Sequence, residues 1–113
     1  MQGYQISFMT ELNRRIDGKP PSEWLMQIAK ELGIGGVTTF AGVEGVGADG
    51  RRHSARFFEL VDQPIEIMMA VSEAQAVALF EKINGADTRL FYIKIPIEYG
   101  ELGTQATPTE RHN

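Results

Sequence analysis

Tyr4, Ile6 and Phe8 alternate with Gln5, Ser7 and Met9, and this period of two predicts a strand over 4–9. A polar stretch from Thr10 to Lys19 follows and reads as a loop. Pro20 and Pro21 suit the first turn of a helix, where a missing N–H leaves no bond unmade. Trp24, Leu25, Ile28, Ala29 and Leu32 then recur at helical spacing, and Gly33 predicts a left-handed stop. Residues 37–46 read as a second strand, with Gly45, Gly47 and Gly50 marking the loop behind it. Residues 57–71 read as a third strand, interrupted at Gln63-Pro64, where the proline removes a ladder donor and predicts a bulge or bend. Ser72 and Gln75 have the spacing of a capping box. Ala76, Leu79, Phe80 and Ile83 then form one face of a second helix that Asn84-Gly85 ends. The last strand is 90–97, with Phe91, Ile93, Ile95 and Ile97 taken as its core face.

Strand, helix, strand, strand, helix, strand is the ferredoxin-like βαββαβ order of an α+β fold. It predicts an antiparallel sheet of order 4-1-3-2 with both helices on one face. In that topology the loops 10–19, 44–56 and 84–89 lie at the same end of the domain. The other face of the sheet needs a cover. Phe40, Met68 and Tyr92 fall out of phase with the expected core residues of their strands, so they are its candidate residues. A contiguous apolar patch usually marks an interface, which predicts a homo-oligomer that packs sheet faces together.

A length of 113 residues suits a single domain, and 42% hydrophobic residues suffice for its core. Beyond residue 99 apolar anchors become few, so 1–99 is expected to be the domain and 100–113 a mobile tail. The net charge of −4 argues against a nucleic-acid partner. Charge is unevenly spread, however. Seven of the eleven Lys and Arg residues lie in the three loops at one end: Arg14, Arg15 and Lys19, then Arg51, Arg52 and Arg56, then Arg89. The absence of cysteine excludes disulfides, thiolate catalysis and Cys-ligated metals. No apolar run resembles a signal peptide or a membrane span, so a soluble cytoplasmic protein is expected.

The converging cations predict an anion-binding end. Gly45 and Gly47, lacking a Cβ, would let backbone N–H groups approach an anion closely. Arg14, Arg15, Arg51, Arg52, Arg56 and Arg89 could hold carboxylate or phosphate bidentately. His53 lies among them and titrates near neutrality when unperturbed. The bland alternatives are a flexible hairpin tip, a solvated charge run and a structural loop histidine. Glu44, Asp49, Glu59 and Glu66 are expected to balance the arginines in charge. With no complete nucleophile or acid–base set in view, no catalytic residue is expected.

Four runs carry a resemblance over 18–98. They are Gly18-Lys19-Pro20; Leu32-Gly33-Ile34-Gly35-Gly36-Val37-Thr38; Gly42-Val43-Glu44-Gly45-Val46-Gly47 with His53-Ser54-Ala55; and Gln63-Pro64-Ile65-Glu66-Ile67. In their order and spacing they resemble the PII-like signalling superfamily, nearest to a small branch labelled as a domain of unknown function. The resemblance implies a homotrimer with clefts between subunits and a signalling loop at about 45–56. It also implies phosphate contacts at Gly45-Val46-Gly47 and in the turn that holds Gly85 and Arg89. The chain departs from the pattern in two places. The turn lacks the family's glycine-rich run ending in lysine, and no arginine follows the last strand before Arg111.

The leading expectation is a non-enzymatic regulatory trimer that binds a small anionic metabolite between subunits, an adenine nucleotide being one candidate. The 45–56 loop, expected to be mobile without ligand, would present itself to an enzyme or a membrane transporter. One alternative is a trimeric metal-tolerance or stress module using Glu44, Asp49 and His53. The other is an enzyme acting on a phosphorylated small molecule.

Overall fold

The structure, a computed structural model, describes residues 1–42 and 63–103 fully and the backbone alone of 44–46 and 52–54. Its elements are β1 (Gln2–Glu11), α1 (Pro21–Glu31), β2 (Thr38–Ala41), β3 (Glu44–Val46), β4 (Arg52–Ser54), β5 (Pro64–Val71), α2 (Glu73–Asn84) and β6 (Phe91–Glu98). Four strands form one sheet of order β2-β5-β1-β6, and β3-β4 form a separate two-stranded ladder. Every pairing in the larger sheet is antiparallel. Counted among the four sheet strands, the order is 4-1-3-2, the expected ferredoxin-like arrangement.

Local chemistry explains the element ends. Pro21 opens α1 without a side-chain cap, and the chain leaves the helix through Gly33 in the left-handed region, φ 73°. Ser72 and Gln75 form the full capping box of α2: the Ser72 hydroxyl accepts from the Gln75 N–H at 3.1 Å, and Gln75 Oε1 accepts from the Ser72 N–H at 2.9 Å. Gln75 does a second job. Its Nε2 donates to Leu32 O at 3.4 Å and Gly33 O at 3.1 Å, which satisfies carbonyls at the end of α1. Pro64 opens β5 directly after non-strand Gln63, and residues 57–62 of the expected third strand lie outside the described residues. Gly42 follows β2, where an added Cβ would meet the Pro64 ring at 3.0 Å. The 37–46 segment thus divides into β2 and β3 instead of running as one strand.

Both helices bury their apolar sides against one face of the sheet. Trp24, Leu25, Ile28 and Ala29 of α1 and Ala76, Leu79 and Ile83 of α2 join Ile6, Phe8, Ile65, Ile67, Met69 and Val71 in a single core. In β1 and β5 these core residues alternate, as period two requires.

In β6 the phase is opposite to the expectation. Phe8 pairs with Tyr92 and Ile6 with Lys94, so Tyr92 and Lys94 stand on the helix side. The Tyr92 ring lies 4.7 Å from that of Phe80 on α2, and Lys94 Nζ sits 4.1 Å over the Tyr4 ring. Phe91, Ile93 and Ile95 therefore face away from the helices, exposed at 66%, 41% and 46%. Alternation puts Phe91, Ile93, Ile95 and Ile97 on one side and Tyr92, Lys94, Pro96 and Glu98 on the other, so by polarity alone the first set reads as the core face. The register with β1 puts the second set there instead. Phe40 and Met68 fall on the helix-free face as expected, since Met68 pairs with Thr38 and Phe40 with Glu66. Tyr92 does not belong there.

At the far end of the sheet the Met1 ammonium donates to Tyr99 O, and the Tyr99 N–H donates to Met1 O, each at 2.9 Å. Gly3 is needed here, because a Cβ would collide with Val71 O and the Tyr99 ring. Among the described residues no helix is long and apolar enough to cross a membrane. Residues 104–113, the greater part of the expected tail, lie outside the described residues.

The double role of Gln75 predicts a measurable asymmetry. Ser72→Ala removes one capping acceptor and should cost about 1 kcal/mol. Gln75→Ala also removes both bonds to the α1 carbonyls and should cost more. Urea unfolding at one fixed protein concentration gives both values. Equal costs would show that the bonds to α1 contribute nothing.

Candidate functional site

Sheet register decides which loops meet. Glu11 at the end of β1 pairs with Pro64 at the start of β5, and Met9 pairs with Phe91 at the start of β6. Ala41 at the end of β2 pairs with Ile65. The exit of β1, the exit of β2 and the entries of β5 and β6 thus lie at one end, the convergence that the element order predicts. Hydrogen bonds stitch these ends together. Leu12 N–H donates to Gln63 O at 2.9 Å, Gly42 N–H to Pro64 O at 2.7 Å, and Gln63 Nε2 to Gly42 O at 3.1 Å.

The 12–20 segment is more built than its polar composition indicates. Asp17 and Gly18 both take left-handed conformations, φ 52° and 78°, and Ile16 bridges Lys19 in an antiparallel pair. This is a two-residue turn of the Asp-Gly kind. Ile16 is buried in the core. The Asp17 carboxylate accepts a hydrogen bond from Trp24 Nε1 at 3.2 Å. Trp24 is therefore a core anchor that also fixes the turn. Asp17 has a structural role that composition alone left out, although the Asp-Gly dipeptide is a recognised turn signal.

The cations of this end differ in what holds them. Arg14 Nη2 donates to Thr88 Oγ1 at 2.8 Å and so joins the β1–α1 loop to the α2–β6 turn. Arg15 turns back on its own loop, with Nη1 2.8 Å from Arg14 O and 3.2 Å from Leu12 O. Lys19 Nζ stands 3.5 Å from Gln27 Oε1, at the outer limit of a hydrogen bond. Arg89 is exposed. Gly85 ends α2 in a right-handed conformation, φ −78°, so its turn does not demand glycine for backbone geometry. Near the end of β1, opposite Ile65, the Thr10 hydroxyl is buried and has no hydrogen-bond partner among the described residues.

The glycine loop is described only in part. Gly45 lies directly opposite His53 in the β3–β4 ladder, and Val46 lies opposite Arg52. Within the 45–56 segment, residues 45–46 and 52–54 are therefore paired strands, and the rest lies outside the described residues. Gly47, Asp49, Arg51, Arg56 and Glu59 lie outside the described residues, as do Arg111 and His112 of the tail. The described part of the site thus brings Arg14, Arg15, Gly85 and Arg89 together in two adjoining loops, with Thr88 as the link that sequence reasoning did not single out. Among the described residues no cluster of His, Asp or Glu side chains could hold a metal ion.

Comparison with known proteins agrees with this architecture. Residues 4–93 match the family model DUF190, described as Uncharacterized ACR, COG1993. No curated protein matches the chain. Among solved structures, CPII from Thiomonas intermedia K12, a nitrogen regulatory PII-like protein bound to ADP, AMP and bicarbonate, aligns with TM-score 0.59 and 19% identity over 86% of this chain and 89% of that one. CPII bound to ADP and bicarbonate aligns with TM-score 0.55 and 18% identity, over 86% and 89% of the two chains. TTHA0516 from Thermus thermophilus, a candidate PII-like signaling protein, aligns with TM-score 0.60 and 16% identity, over 86% and 90%. At such identities the likeness speaks for the fold. The fold is PII-like, and the family match over 4–93 establishes that the chain belongs to the DUF190 family.

Proposed function

We propose that this protein is a PII-like regulatory module, not an enzyme, that binds a small anionic metabolite at the end where the strand termini converge. The observation that carries this reading is the meeting of the β1–α1 loop and the α2–β6 turn, tied by Arg14 and Thr88, at the end of the sheet from which the β3–β4 hairpin extends. Four basic side chains, Arg14, Arg15, Lys19 and Arg89, belong to those two segments. Backbone pairing adds Gly45, Arg52 and His53 on the adjoining hairpin. Guanidinium groups from separate loops suit a phosphate or carboxylate, because each can donate two parallel hydrogen bonds. CPII, which shares the fold, is found with ADP, AMP and bicarbonate, and this supports an adenine nucleotide as the first ligand to try.

In this reading the protein is a homotrimer whose subunits pack their helix-free sheet faces together, with the anion sites in the clefts between them. The exposed Phe40, Phe91, Ile93 and Ile95 support that packing. Ligand binding selects one conformation of the 45–56 segment, the one with which the ligand makes additional contacts. The segment then meets a partner protein such as an enzyme or a membrane transporter.

Calorimetric titration of ADP tests the site. Arg52→Ala and Arg89→Ala take cations from two different loops. A hydrogen bond to a charged group is worth roughly 1.5–3 kcal/mol, so each change should weaken ADP binding about ten-fold or more. The double change should depart from the sum of the two, because groups that hold one ligand couple. Failure of the wild type to bind ADP would remove the nucleotide from the reading. Wild-type affinity in all three variants would remove the loop site.

A further inference from the structure

Arg14 is the one described cation that reaches from its own loop to a side chain of another loop at this end. Its Nη2 is 2.8 Å from Thr88 Oγ1, 74 positions along the chain. The two segments so joined differ in how firmly they are held. On the Arg14 side, Ile16 is buried in the core, the Asp17-Gly18 turn closes with Ile16 paired to Lys19, and Trp24 Nε1 holds the Asp17 carboxylate. On the Thr88 side the backbone bonds are local: Gly85 N–H to Glu81 O, Ala86 N–H to Ile83 O and Thr88 N–H to Ala86 O. A well-anchored loop thus grips a turn whose described backbone bonds are all local and whose hold on the core is the partly buried Ala86 and Leu90. Arg89, the exposed cation of that turn, is the next residue after the gripped one.

We propose that Arg14 is a positioning residue: its guanidinium latches the α2–β6 turn through Thr88 and so sets where Arg89 stands in the anion site. This rests on the proposed anion-binding reading for the identity of the site, but the latch itself does not. Arg14 then acts on a bound anion through Thr88 rather than by touching it. A chain segment fixed before binding loses less freedom on binding, so the latch raises affinity by pre-organisation. The hydroxyl of Thr88 is the acceptor, and this makes a neutral substitution informative. If Arg14 touched the anion directly, removing the Thr88 hydroxyl would leave that contact in place.

The test uses the full chain and four variants: Arg14→Ala, Thr88→Val, the double variant and Thr88→Ser. Amide hydrogen exchange at Ala86 and Thr88 is followed without ligand, with the α1 amides as the internal control. Arg14→Ala and Thr88→Val should each speed exchange at those two amides by roughly five-fold, the fold-change of a modest net hydrogen bond. The double variant should go no further than either single one. Thr88→Ser, which keeps the hydroxyl, should restore slow exchange. ADP titration should show Thr88→Val weakened as much as Arg14→Ala. Unchanged exchange in both single variants, or effects that simply add in the double one, would overturn the latch. Loss of ADP affinity in Arg14→Ala with none in Thr88→Val would overturn the positioning role and make Arg14 a direct contact. The exchange arm needs no ligand, so the latch is decided even where the wild type takes no ADP.

Discussion

One sheet with two apolar faces and only two helices to cover them is the constraint on which the rest of this structure depends. The helices take the side that carries Ile6, Phe8, Ile65, Ile67, Met69 and Val71. The opposite side keeps Phe40, Phe91, Ile93 and Ile95 exposed. Burying such side chains is worth roughly 25 cal/mol for each Å² of apolar surface removed from water. Water-facing placement of four large apolar residues on one sheet forgoes that gain in a lone subunit. The same βαββαβ winding that creates the uncovered face also fixes the loop ends. An antiparallel sheet of this order must return the β1–α1, β2–β5 and α2–β6 connections to one edge. The uncovered face and the convergence of the loop ends are thus two consequences of one topology.

The site end is organised by a few side chains that each satisfy more than one demand. Trp24 fills the core and holds Asp17. Arg14 joins two loops through one hydroxyl. At the other end of the helix layer Gln75 caps α2 and the end of α1 together. These ties cross between elements that would otherwise meet only through apolar packing, which is weakly directional. They give the loop end a defined shape around exposed Arg15 and Arg89.

Element order, capping and the loop convergence were legible in the sequence because each rests on local chemistry. Gly33 stops α1, Ser72 and Gln75 start α2, and alternation marks β1 and β5. The face of β6 was not legible. Phe91, Ile93, Ile95 and Ile97 share one side, as a core face would, while Tyr92 shares the other with Lys94 and Glu98, and only pairing with Phe8 and packing on Phe80 put that second side under the helices. Period two therefore misassigned Tyr92 to the open face. In the candidate site the cations were legible as residue types, but their partners were not. Nothing in a single sequence says that Arg14 meets Thr88, since the pairing depends on the register of β6 against β1. The Asp17-Gly18 turn had a signal in its dipeptide that the polar run around it obscured.

The central claim is that the uncovered sheet face is an interface between copies of this chain, arranged as a trimer. Multi-angle light scattering on the purified protein at micromolar concentration measures this directly. The account predicts a mass of about three times the 12.6 kDa chain. A single stable species of one chain mass at that concentration would contradict it, and the inter-subunit clefts would go with it.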